Sequence, residues 1–206
     1  MDTHSRVESL LIAELKHRLA NSFQLLQAVI QIRLRSADDP ESRRHLAWLL
    51  DVVTALSLLQ QRVGVSGPTE FGAYLIEAAS YWRRVCEGRS VGIDLQVESI
   101  HVNETEASTL ALITHELISN AIEHAFPDGR SGSIRLRFRQ DTAGVRELVV
   151  ADDGCGLAVG WDTHGRQGLE LIRGLAAHLG GSVQVDETLG VTVTVRIPRD
   201  PTPRPH

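Results

Sequence analysis

A long stretch without glycine or proline near the N-terminus limits the fold of this chain more than any other feature. Neither residue occurs from about Arg6 to Arg35. Apolar residues recur there at helical spacing, at Leu11, Leu15, Leu19, Leu26 and Ile30. The pattern predicts one long amphipathic helix. In the following "SADDP", Asp39 is suited to cap a second helix and Pro40 to take its first position, and we expect this helix to run to about Val63.

The second predicted helix also carries an apolar stripe, formed by Leu46, Leu49, Leu50, Val53 and Leu56. Two antiparallel helices joined by a short turn cannot enclose a core between them. We therefore expect residues 1–66 to form a helical hairpin that pairs with a second copy of the chain. The resulting homodimer would contain a four-helix bundle.

The sequence pattern changes class after "GVSGP". The segments "TEFGAYLIEAASYWRRVCEG" and "ETEASTLALITHELISNAIEHAF" look helical, and "VGIDLQVE" alternates like a strand. A turn, "PDGRSGS", precedes two strands that a short connection joins as a hairpin, "IRLRFR" and "RELVVADD". A helix near Gln167 to Leu179 and two closing strands, "SVQVDE" and "VTVTVRIP", complete the unit. Helices with largely antiparallel strands predict an α/β sandwich over residues 67–198, so the fold class is α+β, and residues 199–206 read as a disordered tail.

Composition excludes several classes of protein. Of the 206 residues, 42% are hydrophobic, which is enough for one good core or two small ones. The net charge of -5 gives no basic field for nucleic acid. Two separated cysteines signal neither a disulfide framework nor a zinc site and suit a reducing cytoplasm. There is no apolar secretory segment, and the most apolar run falls short of the ~20 residues of a membrane span. We expect a soluble cytoplasmic protein that binds neither nucleic acid nor membrane.

A polar arc follows one side of the first helix in "ELKHRLANSFQ". At 100° per residue this arc contains Glu14, His17, Arg18, Asn21 and Gln24, opposite the leucine stripe. His17 is therefore expected to face water, where its imidazole offers a nitrogen nucleophile. A solvated helix face is the commoner meaning of a lone exposed histidine, so this arc alone does not establish a site.

A second polar face is expected on the helix that contains "HELISNAIEHAF". Helical spacing places four polar residues on one face, Glu116, Asn120, Glu123 and His124. The apolar residues Ile113, Leu117 and Ala121 lie on another face. A carboxylate and a carboxamide one turn apart supply the hard oxygens that Mg²⁺ prefers. The plainer alternative is an amphipathic helix with a polar surface.

Two glycine-containing segments follow. In "DDGCGL", Asp152 can accept a hydrogen bond from an exocyclic amine, and Gly154 and Gly156 allow a backbone with positive φ to approach a ligand. In "HGRQGLELI", Gly165 and Gly168 precede a helix whose free N–H groups suit a phosphate chain. Each segment is also compatible with an ordinary turn.

The order and spacing of these four segments together resemble the histidine kinases of two-component signalling. "ELKHRLANSFQ" resembles the phosphoacceptor box of the HisKA_2 and HWE subfamilies. "HELISNAIEHAFPDGRSGSIRL" resembles their N box, and "VADDGCGL" and "GRQGLELIRGLAAHLGGSV" resemble their G1 and G2 segments. The resemblance extends from about residue 8 to 197. For the second unit it implies the Bergerat ATP-binding sandwich shared with gyrase, Hsp90 and MutL relatives.

The resemblance also implies a role for individual residues. In the phosphoacceptor box, His17 would accept the phosphoryl group from ATP, with Arg18 and Asn21 completing the box. Glu14 lies one turn before His17 and is expected to orient its imidazole by hydrogen bonding. In the ATP-binding unit, Glu116 would lie near the γ-phosphate, Asn120 would hold Mg²⁺, and His124 would join it at the nucleotide. Asp152 would recognise adenine, Gly154 and Gly156 would admit the nucleotide, and the phosphate side of the lid would be formed by Gly165, Gly168 and Leu169.

The sequence departs from the subfamily patterns at several points. Ala20 and Glu123 stand where basic residues are usual, and a carboxylate facing polyphosphate is expected to weaken ATP binding. The lid is short, since only eight residues separate Gly156 from Gly165. The tryptophan-containing signature of the HWE group is missing from the G segments although His115 matches its N box, which favours HisKA_2.

The implied activity is autophosphorylation of His17 followed by transfer to an aspartate of a receiver domain on a response regulator. Few residues precede the first helix, so we expect a sensor-less kinase, controlled by a separate sensor protein or cut from a longer chain. Two rivals stay open. One is an ATP-independent histidine phosphotransferase or phosphatase with a degenerate ATP domain, and the other is an anti-sigma serine kinase, which lacks a phosphoacceptor hairpin.

Overall fold

The computed structural model describes residues 3–62, 68–156 and 163–199. The chain divides into two compact units, Met1–Thr69 and Glu70–His206. The predicted tail from residue 200 onward and the predicted lid residues 157–162 lie outside the described residues. Among the described helices, none has the length and apolarity that crossing a bilayer requires.

The first unit contains two helices, α1 (Thr3–Ser36) and α2 (Pro40–Arg62). Asp39 ends the connection as predicted, because its carboxylate accepts hydrogen bonds from Glu41 N at 2.9 Å and Ser42 N at 3.0 Å. The pKa of the Asp39 carboxyl is lowered chiefly by a hydrogen bond from the Ser42 side chain, and the two backbone bonds act in the same direction. Pro40 takes the first helical position. Gln27 Nε2 donates to Thr54 Oγ1 at 3.1 Å, which joins the two helices side by side.

The second unit has helices α3, α4 and α5 and strands β1 to β7. Their bounds are β1 Thr69–Glu70, α3 Phe71–Val85, β2 Val91–Val97, β3 His101–Val102, α4 Glu104–Asn120, β4 Gly132–Gln140, β5 Arg146–Asp152, α5 Thr163–His178, β6 Ser182–Asp186 and β7 Thr192–Ile197. A π-helical turn, Ala121–Ala125, and a 3₁₀ turn, Pro127–Gly129, follow α4. The predicted α/β architecture is confirmed.

The main sheet has the strand order β2-β4-β5-β7-β6. The β4–β5 pair is an antiparallel hairpin, as predicted, and the two closing strands β6 and β7 also pair antiparallel, as do β5 and β7. Strand β2 runs parallel to β4, with Val91 opposite Gly132 and Val97 opposite Phe138. A separate small sheet joins β1 to β3, which the sequence did not indicate.

The core lies between the helices and one face of the main sheet. Alternate residues of β4, Ile134, Leu136 and Phe138, are buried, and the Phe138 ring meets Phe71 of α3 edge to face at 5.1 Å. Arg146 at the start of β5 forms a buried ion pair with Glu106 in the first turn of α4. This packing fixes α4 and β5 against each other, and both lead to the site described next.

Candidate functional site

The polar arc of α1 is exposed, as the helical spacing predicted. His17 and Asn21 are both exposed. Arg18 Nε donates to Glu14 Oε1 at 2.9 Å, and both side chains are mostly exposed. The Glu14 carboxylate is thus paired with the arginine one turn later, and its role in orienting the imidazole stays a prediction. In this region an accessible imidazole stands on a regular helix.

The end of α4 and the beginning of α5 bring three predicted residues together. Asn120 Nδ2 donates to Glu116 Oε1 at 3.1 Å, and both side chains are half-buried. A Cβ added at Gly168, which is buried, would lie 2.6 Å from Glu116 Oε1 and 3.3 Å from Asn120 Nδ2. Gly168 thus lets α5 pass directly over these two polar side chains, and a larger residue would displace the end of the Glu116 side chain. Leu169, the next residue, is half-buried.

The helix α5 begins earlier than the sequence predicted. It starts at Thr163, so Gly165 and Gly168 lie within the helix rather than in a loop before it. The prediction of a phosphate-binding helix terminus at these two glycines is wrong in that respect. A glycine inside a helix costs only about 1 kcal/mol, which tertiary contacts can outweigh.

The helix that carries Asn120 changes its winding one residue later. The prediction of a continuous α-helix to Phe126 is wrong from Ala121 onward, where the π-helical turn begins. Arg89 Nη1 donates to the Ile122 carbonyl at 2.9 Å and so binds a backbone acceptor of this turn. Glu123 and His124, predicted to share the Asn120 face, are both mostly exposed, with His124 Nε2 3.9 Å from Glu123 Oε2. The altered winding breaks the 100° spacing on which the shared face was predicted.

The loop after β5 packs directly onto the π-helical turn. Cys155 N donates to the Ala125 carbonyl at 2.9 Å. A Cβ at Gly154 would overlap that carbonyl oxygen and lie 2.5 Å from the Ala125 Cβ. Gly154 is thus explained by contact with protein rather than by the predicted approach of a ligand. Gly156, in contrast, has φ +75 and no atom within 4 Å of an added Cβ, so its backbone conformation explains it, as predicted.

Asp152 is a buried carboxylate at the end of β5, with only 5% of its surface exposed. Gly154 N and Val191 N donate to its Oδ1 at 2.9 Å and 3.3 Å, and no described residue donates to its Oδ2. Burial raises the pKa of the Asp152 carboxyl, and the charge of Asp153 acts in the same direction against the two hydrogen bonds. One oxygen is therefore fixed by protein, and the other is available as an acceptor for a ligand amine.

Several supporting residues were missed by sequence reasoning. Asp153 Oδ1 accepts a hydrogen bond from Ser133 N at 2.7 Å, which ties the loop to β4 and is the main reason the pKa of Asp153 is lowered. Gly190 has φ +77, and a Cβ there would overlap the Asp152 backbone carbonyl. The "LGV" turn was a readable signal for Gly190, but its contact with Asp152 depends on strand pairing.

The Asn120 side chain fits the Mg²⁺ that the resemblance implies. Its Nδ2 is held by Glu116, which leaves Oδ1, a hard carboxamide oxygen, as the group for a cation. In the described ranges no three His, Cys, Asp or Glu side chains cluster as a metal site, and the assignment of Mg²⁺ to Asn120 stays a prediction.

Family profiles match both units of the chain. Residues 14–87 match the HisKA_2 profile, described as "Histidine kinase". Residues 105–201 match the profile described as "Histidine kinase-, DNA gyrase B-, and HSP90-like ATPase".

Among curated proteins, the chain is 28% identical to Blue-light-activated histidine kinase 2 of Erythrobacter litoralis over 91% of its own length and 56% of the relative's. It is 29% identical to Sensor histidine kinase PdtaS of Mycobacterium tuberculosis over 91% of its own length and 39% of that protein. The chain thus spans between about two fifths and a little over half of the length of these relatives.

A solved structure is similar to both units. The histidine kinase domain of the Erythrobacter litoralis EL346 blue-light activated histidine kinase matches with a TM-score of 0.67 and 28% identity, covering 91% of this chain and 92% of that one. The two profile matches, in this order, and the similar domain structure show that the chain belongs to the histidine kinases, with a phosphoacceptor region of the HisKA_2 type and an ATPase domain of the Bergerat fold.

Proposed function

We propose that the protein is an ATP-dependent protein-histidine kinase that phosphorylates His17 and passes the phosphoryl group to an aspartate of a receiver domain. The observation that supports this most is the combination of a buried carboxylate with one open oxygen, Asp152, and an exposed imidazole, His17, on the same chain. Neither feature would define the reaction alone, because the first needs a nucleotide and the second needs a phosphoryl donor.

In this proposal the second unit binds and orients ATP. Asp152 Oδ2 accepts a hydrogen bond from the exocyclic amine of adenine, and Asn120 Oδ1 would hold Mg²⁺. Bound Mg²⁺ would neutralise part of the negative charge on the phosphates. Phosphoryl transfer requires mainly positioning and charge neutralisation, so the residues need little covalent chemistry.

The reaction forms a bond between an imidazole nitrogen of His17 and the γ-phosphorus, and it breaks the bond to the β-phosphate oxygen so that ADP leaves. The imidazole loses a proton as its nitrogen becomes phosphorylated. Glu116 is the half-buried carboxylate proposed to lie nearest the γ-phosphate, and it is suited to accept that proton. The phosphorus–nitrogen bond is then broken by a receiver carboxylate, which regenerates the histidine.

We also propose that the helical hairpin forms a homodimer. Leu15, Leu25 and Leu26 on α1 have 65%, 70% and 50% of their surface exposed, and Trp48 and Leu49 on α2 have 41% and 40% exposed. An apolar surface of this extent on two neighbouring helices is typical of an interface. A second hairpin would bury these side chains in the four-helix bundle that the sequence predicted.

Radiolabelled ATP distinguishes this function from its rivals. With γ-labelled ATP and Mg²⁺, the protein should acquire an acid-labile, alkali-stable label, and a His17→Asn variant should acquire none. Adding a receiver domain should move the label to that protein as an aspartyl phosphate. A label that is stable in acid would indicate a serine kinase instead and would contradict the proposal.

The ATP-independent phosphotransferase deserves a separate test because Glu123 is exposed and carries a charge that repels polyphosphate. In that case ATP would give no label on His17, whereas a phosphorylated receiver domain would transfer its label to His17. An Asp152→Asn variant would then behave as the unchanged protein does, since no nucleotide takes part.

A further inference from the structure

The outward face of the main sheet carries an arginine cluster, which we define as Arg137 and Arg139 of β4 and Arg196 of β7. These side chains point away from the helices, since the alternating residues of the same strands, such as Leu136 and Val195, are buried. Their exposed fractions are 44%, 50% and 53%. The cluster lies entirely within the second unit.

One carboxylate, Glu147 of β5, lies at the centre of the arginine cluster with its side chain only 10% exposed. Arg139 Nε and Nη2 lie 2.9 Å and 2.7 Å from Glu147 Oε1, and Arg196 Nε and Nη2 lie 3.0 Å and 2.9 Å from Oε2. Burial opposes ionisation of Glu147, but these bonds outweigh it and lower the pKa of the carboxyl. Two arginines are therefore already enough to satisfy Glu147.

Arg137, the third arginine of the cluster, is not needed to neutralise Glu147. Arg137 Nη2 is 3.6 Å from Glu147 Oε1, and its guanidinium is still well exposed. Arg137 and Arg139 are two residues apart on one strand, so their Cβ atoms are separated by about 7 Å and their charges repel each other. Three guanidinium groups around one carboxylate leave an excess of positive charge held in a fixed position on a flat surface.

The same strand offers an internal contrast at Arg135. Arg135 is paired in register with Asp94 of β2, and its charge also acts on Asp153. At that end of the face, the charge of Arg135 is therefore balanced by two carboxylates, those of Asp94 and Asp153. At the other end of the face, Glu98 follows β2 beside Arg139, and its Oε2 accepts a hydrogen bond from Gln140 N at 3.0 Å. The arginine cluster therefore sets three positive charges against the carboxylates of Glu147 and Glu98.

We propose that the arginine cluster is a docking surface for an acidic segment of another protein. Arginine presents a planar fork that binds carboxylates in a bidentate manner, and the Arg137 guanidinium, 3.6 Å from Glu147, is the fork that Glu147 engages least. A long polyanion such as nucleic acid is disfavoured, because Asp94 and Asp186 on the flanking strands face the same side and the whole chain carries a net charge of -5.

The test measures binding of a fluorescein-labelled peptide with eight consecutive glutamates to the full chain by anisotropy. The unchanged protein should bind this peptide and should not bind the same peptide with glutamines. Arg137→Gln should weaken binding about fivefold, since one exposed arginine–carboxylate contact is lost. Arg135→Gln, which makes the same change in net charge on the same strand and face, should weaken it less than twofold.

Equal weakening by the two variants, or no binding of the glutamate peptide, would overturn the proposal. So would tighter binding of an octamer of thymidylate, because the surface would then recognise phosphate backbones. A Glu147→Gln variant separates docking from a purely structural role. Docking predicts tighter peptide binding despite a lower melting temperature, because the central negative charge is removed, whereas a purely structural network predicts only the lower melting temperature.

Discussion

The two functional regions of this protein are built in opposite ways. Around His17, the described contacts are local, such as Arg18 with Glu14 and Ser22 Oγ with the Arg18 carbonyl, each four residues apart. Around Asp152, the contacts join distant segments, for example Val191 N with Asp152 Oδ1 at a separation of 39 residues. The proposed phosphoacceptor side chain stands on a helix that does not need it, whereas side chains of the proposed nucleotide site also make contacts that join distant parts of the fold.

This contrast predicts that function and stability separate cleanly at one region and not at the other. A substitution at an exposed helical position away from special features changes stability by less than about 0.5 kcal/mol. A substitution that adds atoms at a closely packed backbone or glycine position lowers stability by about 1–3 kcal/mol. The following experiments test that difference, beginning with the largest expected effect.

His17→Asn should abolish phosphorylation while leaving the melting temperature and ATP affinity unchanged. The side chain is exposed and makes no described contact that the fold requires. Label incorporation, thermal unfolding and binding of a fluorescent ATP analogue measure the three quantities. A Gln24→Ala variant serves as a control for a change on the same arc and should keep full label incorporation. Loss of ATP affinity in His17→Asn would show that the contrast between the two regions is false.

Asp152→Asn should lower ATP affinity about 100-fold, because a buried acceptor for the adenine amine is replaced by an amide donor. The two backbone donors can still be accepted by the asparagine Oδ1, so the local structure should persist. Isothermal titration calorimetry with ATP, and with GTP as a comparison, measures the effect. A loss of less than tenfold would contradict the assignment of Asp152 to adenine.

The same variant also gives a pH-dependent effect on stability. Burial raises the pKa of the Asp152 carboxyl in the folded state above its unfolded value. The ionised carboxylate therefore costs stability above the folded pKa, and this cost disappears as the pH falls below it. Asp152→Asn should melt higher than the unchanged protein at neutral pH, and the two proteins should converge in acid. If the two melting temperatures were equal at neutral pH and differed in acid, the raised pKa of Asp152 would be contradicted.

Gly154→Ala and Gly156→Ala should differ in stability although the two glycines are neighbours in one motif. At Gly154 the added methyl overlaps the Ala125 backbone carbonyl, so the loop or the π-helical turn must move, at a cost of about 1–3 kcal/mol. At Gly156 the space is open and only the φ of +75 opposes the substitution, at about 1 kcal/mol. Urea unfolding measures both. A greater loss at Gly156 would contradict the packing described for this loop.

The sequence predicted the parts of this structure that depend on local spacing. Helices α1 and α2, the Asp39 cap and the β4–β5 hairpin follow from periodicity, capping and a short turn. The π-helical turn was missed because Arg89 and Cys155, which bind its carbonyls, are distant in sequence. Gly165 was assigned to a loop for a related reason, since its helix depends on contacts that the local pattern does not contain.

In the candidate site, too, the features that depend on local sequence were predicted and those that depend on distant contacts were not. Residue types and order led to the prediction of Glu116, Asn120, Asp152 and Gly168 as site residues, and the structure brings Glu116, Asn120 and Gly168 together. The reasons for the glycines were only partly predicted, since Gly154 packs against the Ala125 backbone and Gly168 lies against the Glu116 and Asn120 side chains. A motif thus proposes which residues matter, and the fold shows what each one contacts.

Glu123→Lys should produce the smallest of these effects, an increase in ATP affinity of about two- to fivefold. Glu123 is mostly exposed, so solvent and salt screen its charge and the gain from reversing it is modest. The increase should shrink as the salt concentration rises from 0.05 to 0.5 M. Glu87→Lys makes the same charge change at another exposed position and is the matched control. If both variants raise the affinity equally, net charge alone explains the effect. If Glu123→Lys has no effect even at low salt, Glu123 does not face the polyphosphate, and the π-helical turn has removed it from the position that the straight helix predicted.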